Sequence, residues 1–173
     1  MNMSSGIFCK LKLDPFLQEF LRGYYNSNGL VFKFPREDCD ELRLAKKFND
    51  LLTSPPDNFK PQNFGEKEFL IEVPFQENKD PFYFNYITEV GNEKIAKKIF
   101  EAYRDYYYDQ IREMRSKGWT EYKDIVEIFM DKLNISRKYF DRLLKDYQRW
   151  RIIKNNKKYQ QKLHRLEKAK CLS

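Results

Sequence analysis

Two apolar stripes of helical period, separated by a short polar break, dominate the stretch from Thr120 to Lys158. Tyr122, Ile125, Val126, Phe129 and Leu133 recur at steps of three or four. Tyr139, Phe140, Leu143, Leu144 and Tyr147 do so again a few residues later. Each set lines one face of a helix. A short connection forces the two helices to be neighbours, so this stretch is confined to a helical hairpin, the pattern of a helix-turn-helix. Thr120 offers a hydroxyl to cap the first helix, and Ser136 offers one to cap the second. Asn134 tolerates the left-handed backbone that ends a helix, which leaves Ile135 as a lone apolar residue in the turn.

Charge changes sign at the same place. The chain carries 33 Lys and Arg against 26 Asp and Glu. From Arg137 to Ser173 there are 13 basic and 3 acidic residues, which leaves 20 basic and 23 acidic residues before them. The whole positive excess therefore lies in the C-terminal end. That asymmetry implies a polyanion-binding end on a neutral or slightly acidic body.

With 173 residues the chain is one ordinary domain, or a small domain with a helical extension. Its 15 Phe and 12 Tyr are spread along the length and supply enough apolar mass for a core, which argues against disorder of the whole chain. No apolar run approaches the length that crosses a bilayer, and MNMSSGIFCKLKL at the start lacks the apolar region of a signal peptide. A cytoplasmic protein with no membrane partner is expected. Cys9, Cys39 and Cys171 are odd in number and far apart, so reduced thiols are expected rather than a disulfide framework. His164 is the one histidine, and there is no CxxC, so a zinc site lacks ligands.

The N-terminal part alternates between the two periods. Ile7 to Leu13 has a period of two and predicts a strand. Asp14-Pro15 then predicts a helix start, followed by Phe16, Leu17, Phe20, Leu21 and Tyr24 at helical spacing. Asn26 to Gly29 reads as a turn, and Leu30 to Phe34 as a second strand stopped by Pro35. Glu37, Asp38, Asp40 and Glu41 suit the positive end of a helix whose stripe is Leu42, Ala45, Phe48, Leu51 and Leu52. Thr53 to Gly65 reads as a long loop, pinned by Phe59 and Phe64. Phe69, Ile71, Val73 and Phe75 predict a third strand. Its alternation puts Glu66, Glu68 and Glu72 on a solvated outer face. Asp80-Pro81 repeats the helix-start signal, and Phe82 to Thr88 fits a short helix or a strand. A long helix is predicted from Asn92 to about Lys117, with Ile95, Ala96, Ile99, Tyr103, Tyr106, Tyr107, Ile111 and Met114 inside and Gly118 ending it. The expected fold is α+β: a small N-terminal β-sheet with helices over residues 1–91, a three-helix part with the helix-turn-helix over 92–155, and a basic helix or tail over 156–173. Phe129, Phe140 and Leu143 are expected to share one core with Ile99, Tyr103 and Ile111.

Chemistry-bearing patterns are sparse. Tyr103, Tyr106, Tyr107 and Tyr108 have the spacing of paired tyrosine nucleophiles, but such enzymes hold a metal with paired histidines, so an aromatic stripe is the better reading. There is no Gly-rich phosphate loop and no G-x-S-x-G. The one enzymatic alternative is a carboxylate-only magnesium site built on Glu72 and Asp80. No catalytic residue, metal or cofactor is expected. The basic side chains that would meet a phosphate backbone are Arg137, Lys138, Arg142, Lys145, Arg149, Arg151, Lys154, Lys157 and Lys158, with Ser136 at the head of their helix. Trp150 and Tyr159 interleave with them, as stacking residues would.

Thr120 to Arg151 resembles the helix-turn-helix of small bacterial and phage transcription or replication regulators. The whole arrangement resembles small basic proteins of phages and mobile elements of bacteria. The turn departs from the familiar pattern because it has no glycine, so Asn134 takes that role. The resemblance implies a non-enzymatic nucleic-acid-binding protein, with DNA favoured over RNA and the α+β part serving as a dimerisation or effector module. The alternative is an adaptor, inhibitor or structural protein that binds a protein partner through aromatic surfaces.

Overall fold

A computed structural model of the chain describes residues 6–35, 39–58, 68–74 and 79–170, with side chains through 156. The expectations for Glu37, Asp38, Phe59, Phe64, Glu66, Phe75, Tyr159, His164 and Cys171 fall outside these residues or side chains. The fold is α+β. In chain order the elements are β1 (Phe8–Lys12), α1 (Pro15–Tyr24), α2 (Leu44–Leu51), β2 (Leu52–Thr53), β3 (Glu68–Glu72), β4 (Tyr86–Ile87), α3 (Glu89–Ser116), α4 (Tyr122–Leu133), a 3-10 turn (Arg137–Tyr139) and α5 (Phe140–Lys170). Among the described residues no helix is long and apolar enough to cross a membrane. The chain forms two compact units, Met1–Tyr106 with Lys132–Ile135, and Tyr107–Asp131 with Ser136–Ser173.

The first unit is built on β1 and β3, which pair antiparallel from Phe8↔Glu72 to Lys12↔Glu68. Alternation along β1 buries Cys9 and Leu11, and β3 buries Phe69 and Ile71. The Asp14-Pro15 signal works as expected: the Asp14 carboxylate accepts from the Phe16 amide at 2.9 Å and Pro15 opens α1. Phe16 and Phe20 of α1 then meet Tyr103 of α3 edge-on, with ring centroids 4.8 and 5.4 Å apart. Tyr103 therefore belongs to this aromatic core. On the far side of β1, the Asn92 side chain accepts from the Lys12 amide (2.7 Å) and donates to its carbonyl (2.9 Å), standing in for a neighbouring strand.

Several local expectations are corrected. Leu30 to Phe34 forms no strand; Phe32 makes a single parallel bridge to Ile71, donating to Leu70 and accepting from Glu72. Asp40 and Glu41 lie ahead of α2 rather than in its first turn. The helix starts only at Leu44, where Arg43 takes a left-handed φ of 54°, and buried Asp40 caps it by accepting from the Ala45 amide at 2.6 Å. Asp80-Pro81 starts no helix. No apolar stripe follows it, and Asp80 instead holds a turn through bonds to the Phe82, Tyr83 and Phe84 amides. Thr53 leaves the expected loop to pair, with Leu52, against Tyr86 and Ile87. Glu72 is buried rather than solvated, and Lys33 compensates its charge at 2.5 Å. Long helix α3 starts at Glu89, three residues earlier than expected.

Four buried or half-buried acids of the weak kind hold their protons in this fold. Burial pushes the Cys9 thiol up to about 12, against a smaller opposite pull from the Ile87 backbone. Burial, then the bond to Glu41, raises Tyr24 to about 12. Burial and the 2.5 Å bond to Asp40 push Tyr25 further up, and burial, with the Asp146 charge next, does the same for Tyr107. All four would ionise in the unfolded chain at about pH 9 to 10. As pH rises through that range the folded chain keeps protons that the unfolded one loses, so stability falls; the contribution is complete only below about pH 8, under the range of an unfolded thiol. For Cys9 and Tyr107 the loss is about 1.4 kcal/mol per pH unit and per group until the folded form titrates, and for the partly exposed Tyr25 it is smaller. Urea melts between pH 8 and 11.5 are expected to show this decline, with a shallower one for Tyr25→Phe; a flat profile would contradict the burial of these groups.

Candidate functional site

The second unit holds most of α4 and all of α5. On α4, Ile125, Val126, Phe129 and Leu133 are buried as their spacing predicts, and Met130, outside that stripe, is buried too. The helix begins at Tyr122, one residue after Glu121, whose carbonyl accepts from the Ile125 amide; Thr120 stands too far back to cap it. Asn134 ends α4 with a left-handed φ of 51° and Ile135 is buried after it, both as the sequence implies. Ser136 sits at the head of the 3-10 turn with extended backbone, but its hydroxyl makes no capping bond. Only then does α5 begin.

The inner face of α5 is rotated from the expected one. Leu143, Asp146, Tyr147 and Trp150 are buried, whereas Tyr139, Phe140 and Leu144 are half-buried. Two phenols explain the register. Tyr107 lies 4.6 Å from the Phe129 ring and donates its hydroxyl to the Leu143 carbonyl at 2.9 Å. Arg115 donates to the Tyr147 hydroxyl at 2.6 Å. Each phenol spends its polar end on a partner that fixes α5, the usual requirement for a buried tyrosine. The tyrosines of α3 are therefore structural: Tyr103 and Tyr107 are buried, and Tyr106 and Tyr108 half-buried.

The expected cationic residues fall into three groups. Arg137 reaches back across the turn to α4, 3.0 Å from Asp131 and 3.6 Å from Glu127. Arg149 pairs with buried Asp146 at 2.8 Å. Lys138 and Lys154 are exposed but lie over aromatic rings, Lys138 over Tyr139 at 4.8 Å and Lys154 over Trp150 at 4.9 Å. Arg142 is half-buried, and Lys145 and Arg151 are exposed. The helical backbone continues through Lys157 and Lys158, whose side chains lie beyond those described. Positive charge at the head of α5 is thus partly compensated by Glu127, Asp131 and Asp146. Among the described residues, Lys145, Arg151 and Lys154 make no ion pair. Trp150 is buried against Tyr147, ring centroids 5.7 Å apart, so it packs in this unit and offers no open face to a base.

Sequence reasoning missed Trp119 and Tyr122 as surface residues. Trp119 is 45 % exposed and Tyr122 39 % exposed at the α3–α4 connection. Tyr122 continues the apolar stripe, but its place in the first turn of α4 leaves it at the edge. Among the described residues no group of three or more His, Cys, Asp and Glu is arranged to hold a metal ion. Glu72 is engaged by Lys33, and Asp80 by its own turn. No family model, curated protein or solved structure matches this chain.

Proposed function

We propose that this chain is a non-enzymatic nucleic-acid-binding protein that lays α5 against a phosphate backbone, duplex DNA being the favoured form. One observation carries the reading. The helix runs unbroken to Lys170, and between Asp146 and Glu167 the sequence places seven Lys and Arg with no acid. Arg151, Lys154, Lys158, Lys162 and Arg165 recur at steps of three or four, the spacing that repeats along one face of a helix. A B-DNA major groove admits an α-helix, and the 20 residues from Arg151 would span about 30 Å, close to one turn of duplex. The basic side chains would bind by releasing counterions, which requires no particular sequence.

The test is fluorescence anisotropy with a labelled duplex across a salt series. If about six phosphates are neutralised, affinity is expected to fall roughly a thousandfold or more between 50 and 200 mM salt. Exposed Lys145 should contribute to this without supporting the fold, so Lys145→Ala should weaken binding while leaving the melting temperature unchanged. Binding that is absent, or insensitive to salt, would refute the proposal.

A second reading, a protein that docks a protein partner through aromatic side chains, is favoured by one feature of the first unit. Phe82 and Tyr83 are 75 % and 68 % exposed on the Asp80 turn, which Asn85 closes by donating to the Pro81 and Phe82 carbonyls. Rigid exposed aromatics are the usual anchors of protein interfaces. A stoichiometric partner recovered after nuclease treatment, and lost with Phe82→Ser and Tyr83→Ser, would favour this reading.

A further inference from the structure

We infer that the stretch of α5 beyond Trp150 pairs with the same stretch of a second copy of this chain, as a short parallel two-stranded coiled coil. The helix outruns its packing there. Trp150 is buried, whereas every side chain from Arg151 to Asn156 is exposed, Ile152 at 60 % and Ile153 at 46 %. The helical backbone nonetheless continues to Lys170. In water most of a helix's stability comes from packing its apolar face, and Asn155 and Asn156 are weak helix formers. A partner is therefore needed, and the spacing of the apolar residues says which side it takes. Ile152, Asn156, Tyr159, Leu163 and Leu166 follow one another at steps of four, three, four and three. That is the repeat of a coiled-coil seam, with Ile152, Tyr159 and Leu166 at d positions and Asn156 and Leu163 at a positions. Every b, c and f position from Arg151 to Lys168 is polar, and Arg151, Lys154, Lys158 and Arg165 are among them. Seam positions and basic positions thus fall on opposite sides of one helix. Pairing along the seam stands whatever the basic side binds.

Two features select the occupant and its direction. A side-chain amide both donates and accepts, so Asn156 at an a position is matched by Asn156 of a second copy when the helices run parallel in one register. A single polar a residue fixes register and strand number in this way. The flanking positions agree. In a parallel pair a g residue meets the e residue of the partner's next heptad. Lys162 at g then meets Glu167 at e, and Asn155 meets Gln160. Glu167 is the one acid in the sequence between Asp146 and Ser173, and it stands where Lys162 of a second copy requires one. The two-fold symmetry of the pair makes this ion pair twice. An antiparallel partner would set Lys162 and Glu167 against neutral residues instead.

The experiment is sedimentation equilibrium of the full chain across a range of concentrations, without nucleic acid. A monomer–dimer equilibrium is expected. The double variant Leu163→Glu, Leu166→Glu should weaken it by about a hundredfold or more, because each copy loses two apolar seam residues. Asn156→Ile should act in the opposite direction, tightening association by about tenfold or more and admitting larger assemblies, since a polar a residue trades stability for a defined pair. Direction is read by oxidative cross-linking. In a Cys39→Ser, Cys171→Ser background, Asn156→Cys should form a disulfide between copies, as a shared seam layer allows. A wild-type chain that stays monomeric at every concentration would overturn the pairing. Dimers that survive Leu163→Glu, Leu166→Glu would overturn it too, by placing the interface elsewhere. Association weakened by Asn156→Ile, or dimers without the cross-link at position 156, would overturn the parallel register.

Discussion

Phe129→Ala is expected to destabilise the second unit by about 3–5 kcal/mol, the range for removing a fully buried ring from a packed core. The residue has no exposed surface, and its ring is the neighbour that Tyr107 packs against. Tyr107 in turn holds α5 by its bond to the Leu143 carbonyl. Removing Phe129 therefore opens a cavity and loosens the phenol that sets the register of α5. A loss of this size is comparable with the stability of a small domain. Nucleic-acid binding should disappear with it, although Phe129 touches no ligand. Thermal melts by circular dichroism check the first part and anisotropy the second. A variant as stable as wild type would mean that α3, α4 and α5 do not share this core.

Gly23→Ala is expected to destabilise the first unit by about 3 kcal/mol, the upper end of the usual overpacking range. A Cβ at position 23 would overlap the Leu133 backbone, with its Cα only 2.9 Å away and its carbonyl oxygen nearer still. Backbone atoms at a helix end cannot swing aside as a side-chain tip would. Helix propensity alone predicts the opposite sign, a gain of about 1 kcal/mol for Gly→Ala inside a helix. A urea melt thus separates the two effects by their direction. A stabilised Gly23→Ala would contradict the close approach of α1 and Leu133.

The parts of this fold legible in the sequence are those set by neighbours in the chain. The Asp14-Pro15 cap, strand β1, the apolar face of α4 and the left-handed Asn134 each depend on residues within one or two turns. What escaped depends on distant partners. Asp80-Pro81 repeats the dipeptide of α1 but lacks the apolar stripe that would draw a helix onto the core, and Asn85 closes it into a turn. The two-residue pairing of β2 and β4 is too short to leave a period. Glu72 continues an alternating pattern that reads as solvated, and only Lys33 explains why it is buried. The cationic list was legible as charge, not as free charge. Arg137 faces Asp131 across the turn, a pairing visible only once the backbone is known, whereas Arg149 pairs with Asp146 three residues before it on one helix, a spacing the sequence shows.

The central claim is that the uncompensated positive charge of α5 binds the phosphate backbone of a nucleic acid. Its most direct test is the salt dependence of duplex affinity for the triple variant Lys145→Gln, Arg151→Gln, Lys154→Gln. All three side chains are exposed, so the fold should be unaffected. Each lost phosphate contact reduces the slope of log K against log salt by about 0.9. The slope magnitude is expected to fall by about 3, with weaker binding at low salt and an unchanged melting temperature. An unchanged slope, in a variant that still folds, would contradict it.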